Sequence, residues 1–169
     1  MAEIKTTKLD AARRQIETAI RMLFSGEDPV AIHTLASAGL KLLQDLAKQT
    51  NTDSLFSSII KPGKEKEVWA IIRRAYNFLK HADSDPHAVI EGVKEEANDV
   101  LLFIACNYYR DLTQQPTATM LCFVSWYAAF HPDHTLLEPL VMTTELRELR
   151  GKNRCIHLQV GKELLNTAL

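Results

Sequence analysis

Residues 28–48, DPVAIHTLASAGLKLLQDLAK, decide the fold class. Asp28-Pro29 opens a helix, because the carboxylate can accept orphan backbone N–H groups and proline fits the first helical position. Ile32, Leu35, Gly39, Leu42 and Leu46 then recur at helical spacing, backed by Ala36, Leu40, Leu43 and Ala47. More than one face is therefore apolar, which predicts a central helix. The small run Ala36-Ser37-Ala38-Gly39 lets a neighbouring helix approach closely. That neighbour is expected on the N-terminal side, where Leu9, Ala12, Ile16, Ala19, Ile20 and Leu23 mark an amphipathic helix from about Lys8 to Ser25, with Gly26 just past its end. Thr7 and Asp10 resemble a capping box for it. The short Gly26–Glu27 connection predicts an antiparallel hairpin of the two helices.

Working outward, Asn51 to Lys64 reads as a loop, because Pro62-Gly63 breaks any pattern. A third helix is expected from Glu65 to Ala82, ended by Asp83-Ser84-Asp85-Pro86. A long helix follows from about Lys94 to Leu112, and Pro116 opens another that runs through Phe130. Shorter helices are expected around Thr143–Arg150 and Ile156–Thr167. No segment shows strand alternation, internal repeat or low complexity. The expectation is one all-α domain over residues 1–169: a four- to five-helix antiparallel bundle over 8–130, with short C-terminal helices over 131–169 packing on it.

Composition agrees with this reading. A chain of 169 residues, 46% hydrophobic and 24% charged, can bury a core without disulfides or metal. The start, MAEIKTTKLD, has no signal pattern, and the longest apolar runs (100–106 and 120–124) fall far short of the roughly 18 residues a membrane helix needs. A cytoplasmic protein with no membrane partner is expected. Cys106, Cys122 and Cys155 are odd in number and widely spaced, and they read as reduced core thiols. Residues 1–81 carry a net +4 and residues 82–169 a net −5. This is not the basic excess of a dedicated DNA-binding domain, so DNA is not an expected partner.

The third helix carries the candidate chemistry. At about 100° per residue, Arg74, Asn77 and His81 fall within about 60° of one another, opposite Ile72, Tyr76 and Leu79. One face is core, and the other presents a guanidinium, an amide and an imidazole flanked by Arg73 and Lys80. Arginine can hold a phosphate bidentately, and histidine can move a proton near neutral pH. Arg74, His81 and Asn77 are thus candidate catalytic residues, and Arg73 and Lys80 candidate substrate-binding residues. Ordinary binary patterning also puts polar residues on such a face, so a solvated surface stands beside the catalytic reading.

Other residues admit further readings. His81, Asp83, Asp85 and His87, which His131 and His134 could join in space, contain ligands for a metal but match no standard spacing, and no metal or other cofactor is expected. His33, on the doubly apolar second helix, is expected to be a buried, hydrogen-bonded histidine, with a pocket role if the fold brings it beside His81. Trp69, Tyr76, Phe123, Trp126, Tyr127 and Phe130 suit core packing better than base stacking. Cys106, within Leu-Leu-Phe-Ile-Ala-Cys, reads as an inert buried thiol. Nucleotide-binding and common hydrolase motifs are absent.

The hairpin with its Gly-Glu-Asp-Pro turn, the small-residue helix Ala-Ile-His-Thr-Leu-Ala-Ser-Ala-Gly-Leu-Lys-Leu-Leu, and Arg74-x6-His81 on a later helix together resemble the HEPN superfamily over residues 8–113. That resemblance implies a helical bundle with an Arg-x(4–6)-His motif lining a cleft between two protomers. It also implies metal-independent endoribonuclease activity in toxin, defence or RNA-processing systems. On it, Arg74 takes the phosphate-holding position and His81 the acid/base position, in a homodimer acting on RNA. Where a polar residue commonly follows the arginine, this chain has Ala75. A non-enzymatic homodimeric interaction protein is the alternative, and a metal- or small-molecule-dependent enzyme using His33, His81 and Asp83 is a third.

Overall fold

A computed structural model of the chain describes residues 5–50, 52, 65–80, 86–91, 94–132 and 144–168, with backbone alone at Glu65, Glu67, Val68, Ile71, Lys80 and Glu145. Among these residues there are seven helices and no strand. They are α1 (Lys8–Phe24), α2 (Pro29–Thr50), α3 (Glu65–Lys80), α4 (Ala97–Thr113), α5 (Ala118–Phe130), α6 (Thr144–Leu149) and α7 (Arg154–Ala168). The fold is all-α, as the periodicity predicts.

The α1–α2 hairpin forms as expected, and its local causes are visible. Thr7 accepts the Asp10 backbone N–H at 3.1 Å. The reciprocal half of a capping box is not made, because the Asp10 carboxylate is engaged by Arg13 at 2.7 Å and Arg14 at 2.9 Å. The Arg13 hydrogen bond does most to hold that carboxyl below its ordinary pKa. Gly26 adopts φ +69°, which an L side chain rarely tolerates, and so lets the chain reverse in a few residues. Asp28 Oδ1 accepts the Val30 N–H at 2.8 Å. Across the hairpin, a Cβ built on Gly39 would lie 2.8 Å from Ile16 Cγ1 and 3.2 Å from the Ala12 carbonyl oxygen. Ala12 and Gly39 are nearly equidistant from the turn, which is antiparallel register. Glycine at 39 thus sets how closely the two backbones meet.

The core is built jointly by α1, α2, α4 and α5. Ala12, Ile16, Ala19 and Ile20 on α1 are as deeply buried as Ala36 and Leu43 on α2. Against α2 pack α4 and α3, while α1 also meets α4, α5 and α7. The α4 helix begins at Ala97, three residues later than Lys94, with Glu95 and Glu96 in the preceding turn. Residues 86–91 are not helical.

The C-terminal region joins the core more fully than short packing helices would. Helix α7 has 15 residues, and its Leu165 belongs to the main hydrophobic cluster. At Gly161 an added Cβ would stand 2.2–2.7 Å from the Phe24 ring. Phe24 also meets Trp126 edge-on at 5.2 Å. The Trp126 indole N–H donates to the His157 carbonyl at 2.6 Å, satisfying the polar end of a buried ring. Phe123, Trp126 and Tyr127 are buried core aromatics, as their spacing predicts. Among the cysteines, Cys106 is buried and Cys122 partly so, but Cys155 is exposed on the first turn of α7, which corrects the expectation of three core thiols. Its apolar sequence neighbour Ile156 points elsewhere on the helix, because adjacent residues sit about 100° apart.

Candidate functional site

Helix α3 divides by face. Ile72 and Ala75 are buried, Trp69, Tyr76, Phe78 and Leu79 are half-buried, and Lys66, Ala70, Arg73, Arg74 and Asn77 are exposed. The exposed set follows a spacing of four, three, one and three, a single outward stripe. Arg74 and Asn77 lie one turn apart on it, with Arg73 beside them, as the wheel predicts. Lys80 is the last helical residue, and its side chain lies outside the described atoms. His81, Asp83, Asp85 and His134 lie outside the described residues. Ala75, directly after Arg74, is 3% exposed. A polar side chain at that position would lie on the buried face of α3 and not on the exposed stripe.

Several cations elsewhere on the described surface are held by carboxylates. Arg13 holds Asp10 and Glu17, Lys41 pairs with Asp45, and Arg110 pairs with Asp111. Among the described residues, Arg73 and Arg74 have no ion-pair partner.

A second polar constellation was not anticipated from the sequence. Asn98 and Asp99, on the first turn of α4, are both buried, Asp99 completely. Arg154 grips Asp99 bidentately, Nη1 to Oδ2 at 2.6 Å and Nη2 to Oδ1 at 2.9 Å. His131 Nε2 stands 3.3 Å from the same Oδ2, and its ring stacks on Tyr127 at 4.7 Å. Hydrogen bonding to Asp99 is the main cause raising the Arg154 pKa. Burial, and then the Asp99 charge, push the Tyr127 hydroxyl upward. One carboxylate thereby ties the start of α4 to the start of α7 and the end of α5. The signal in the sequence was the pair Asn98-Asp99 heading an otherwise apolar run, Val-Leu-Leu-Phe-Ile-Ala-Cys.

Asn98 serves the opposite direction. Its Oδ1 meets His33 Nδ1 at 2.8 Å, and its Nδ2 donates to the Pro29 carbonyl at 3.0 Å. His33 is buried and hydrogen-bonded, as expected, and burial lowers its pKa. It lines a cleft of about 230 Å³ together with Ala75 and Leu79 of α3. A second cleft of about 200 Å³ is lined by Leu23, Asp28 and Arg154, and Pro29, Glu95 and Asn98 border both. A third, of about 240 Å³ and nearly all apolar, lies among α5, α6 and α7, with Leu121, Trp126 and Leu164 in its wall. Cys106 is fully buried and its thiol is pushed far up by desolvation, which leaves it inert as expected.

Among the described residues no group of three or more His, Cys, Asp or Glu could hold a metal ion. His87 is exposed, and His131 is committed to Asp99. No helix among the described residues is long and apolar enough to cross a membrane. No family model, curated protein or solved structure matches the chain, so a functional reading rests on the geometry of its own side chains.

Proposed function

We propose that this protein is an HEPN-like helical protein that binds or cleaves RNA through the outward face of α3. Arg74 holds a phosphate and His81 transfers a proton, with Asn77 orienting and Arg73 and Lys80 adding positive charge. The observation that carries the reading is the exposed stripe of Arg73, Arg74 and Asn77, whose two arginines lack ion-pair partners among the described residues. An unpaired arginine offers its full donor fork to phosphate, whereas one already held by a carboxylate must first give it up. A homodimer that sets two such faces against one cleft would complete the site, in line with the resemblance.

The test is an assay against a pool of structured RNAs with chelator present. The expected outcome is binding or cleavage that falls about tenfold or more for Arg74→Ala, as the loss of a charge-assisted phosphate contact implies. His81→Ala should abolish cleavage and leave binding. If the wild-type protein neither binds nor cleaves, the reading is wrong. Should the same substitutions change only the association state in light scattering, α3 is a docking face of a non-enzymatic protein.

A further inference from the structure

The cleft among α5, α6 and α7 is a blind trough with an apolar lining. Cys122 Sγ meets the Leu164 carbonyl at 3.5 Å and the Trp126 indole N–H meets the His157 carbonyl, so α5 and α7 run antiparallel along it. Ala118 and Ala168, at the start of one helix and the end of the other, therefore share one end. At the opposite end Arg150 Nε donates to the Ala129 carbonyl at 2.6 Å, which brings α6 and its Leu146 there. Ala118, Leu121 and Ala168 are exposed, whereas Trp126, Ala129 and Leu146 are buried. The trough is thus open at the Ala118–Ala168 end and deepens towards α6.

Charge and shape together select an occupant. No described residue that lines the trough is charged. Helix α5 carries no Asp, Glu, Lys or Arg over its whole length, although the outward face of a surface helix is ordinarily polar. The polar groups of Cys122 and Trp126 are already spent on carbonyls. A charged group would find no partner inside, so what enters is hydrocarbon. Ala118 and Ala129 both line the trough, and they stand about 16 Å apart along α5 at the helical rise per residue. Alanine reaches no further than its Cβ, so the cavity spans most of that distance. Benzene fills ~150 Å³ as a compact body, whereas about 240 Å³ drawn out over that length is a narrower shape. At the same volume per carbon it holds about ten carbons. We propose that the trough takes the unbranched alkyl chain of a free single-chain amphiphile, tail first, and leaves the polar head at the Ala118–Ala168 mouth. No described residue of α3 lines it, so the site is independent of the RNA reading.

The experiment titrates the full chain with the straight-chain alcohols hexanol, octanol, decanol and dodecanol, neutral probes that the arginines of α3 do not attract. Calorimetric affinity is expected to rise about fourfold per added methylene up to decanol, the factor that burial of one CH₂ contributes. It should level off at dodecanol, whose chain outruns the trough. The Trp126 indole N–H signal should shift on binding. Ser125→Phe, at a half-buried position in the wall, should block the trough part-way, so that decanol binds about as weakly as hexanol. Arg74→Ala should leave the series unchanged, so failure of RNA binding and failure of this site are separable. An affinity independent of chain length, tighter binding of naphthol than of decanol, or no decanol binding up to its solubility would overturn the proposal. So would a dimer in light scattering that Leu121→Glu dissociates, since a second copy would then cover the mouth. If Ser125→Phe does not fold, the chain-length series and naphthol still decide it.

Discussion

The start of α4 and the outer face of α3 use charge in opposite ways. Asp99 is completely buried, gripped by Arg154 and approached by His131, and Asn98 beside it is spent on His33 and Pro29. On α3, Arg73 and Arg74 are exposed and have no ion-pair partner among the described residues. Burying a charge demands a matched partner and near-ideal geometry, so the α4 groups are committed to holding helices together. Exposed cations carry no such obligation, and their donors remain free for a ligand. The contrast separates residues that specify the architecture from residues available for chemistry.

The largest effect is expected from breaking the buried side. Asp99→Ala leaves Arg154 without its carboxylate in a partly buried setting, and should lower unfolding free energy by about 3 kcal/mol or more in urea titration. A loss under about 1 kcal/mol would mean that solvent already compensates Arg154.

Next in size is the close approach at Gly161. Gly161→Ala puts a Cβ into the Phe24 ring and should cost about 1–3 kcal/mol by overpacking, read from the shift in thermal midpoint. An unchanged midpoint would show that α7 is not held against α1.

Acid supplies a third, smaller effect on the buried side. The folded pKa of His33 is depressed below its ordinary 6.5. Between those two values the unfolded chain binds more protons, so stability rises with pH across that window. The His33 contribution is complete above about pH 6.5 and is lost as pH falls through the depressed folded value. Asp10 and Asp45, also depressed, act in a lower window below 3.8. His33→Phe should flatten the slope just below pH 6.5 in a series of denaturation curves, and an unaltered slope would assign it to other groups.

The smallest stability effect should come from α3. Arg74→Ala is expected to change unfolding free energy by less than about 0.5 kcal/mol, as a surface substitution does, while reducing RNA binding. A large destabilisation would place Arg74 among the architectural residues and remove the contrast.

Legibility followed the range of the interactions. The hairpin was readable because its causes are local: the Thr7 cap, Asp28 at the head of α2, Gly26 in the turn, and the small residue at 39 beneath Ile16. The exposed stripe on α3 was readable because it depends only on helical period. The polar node was not, because Asp99 and Arg154 are 55 residues apart, and no periodicity within α4 or α7 shows which partner a buried carboxylate meets. His33 was expected to be buried and paired, but its partner Asn98, 65 residues away, emerged only from packing.

From the sequence alone came the helical class, the principal helices and the polar face of α3, all consequences of backbone geometry repeating every 3.6 residues. Tertiary structure alone decided that α7 completes the core, that Asp99 joins three helices, and that Asn98 is the partner of buried His33. Those outcomes depend on which distant surfaces meet, since desolvation makes a polar group seek whatever partner the packing brings within reach.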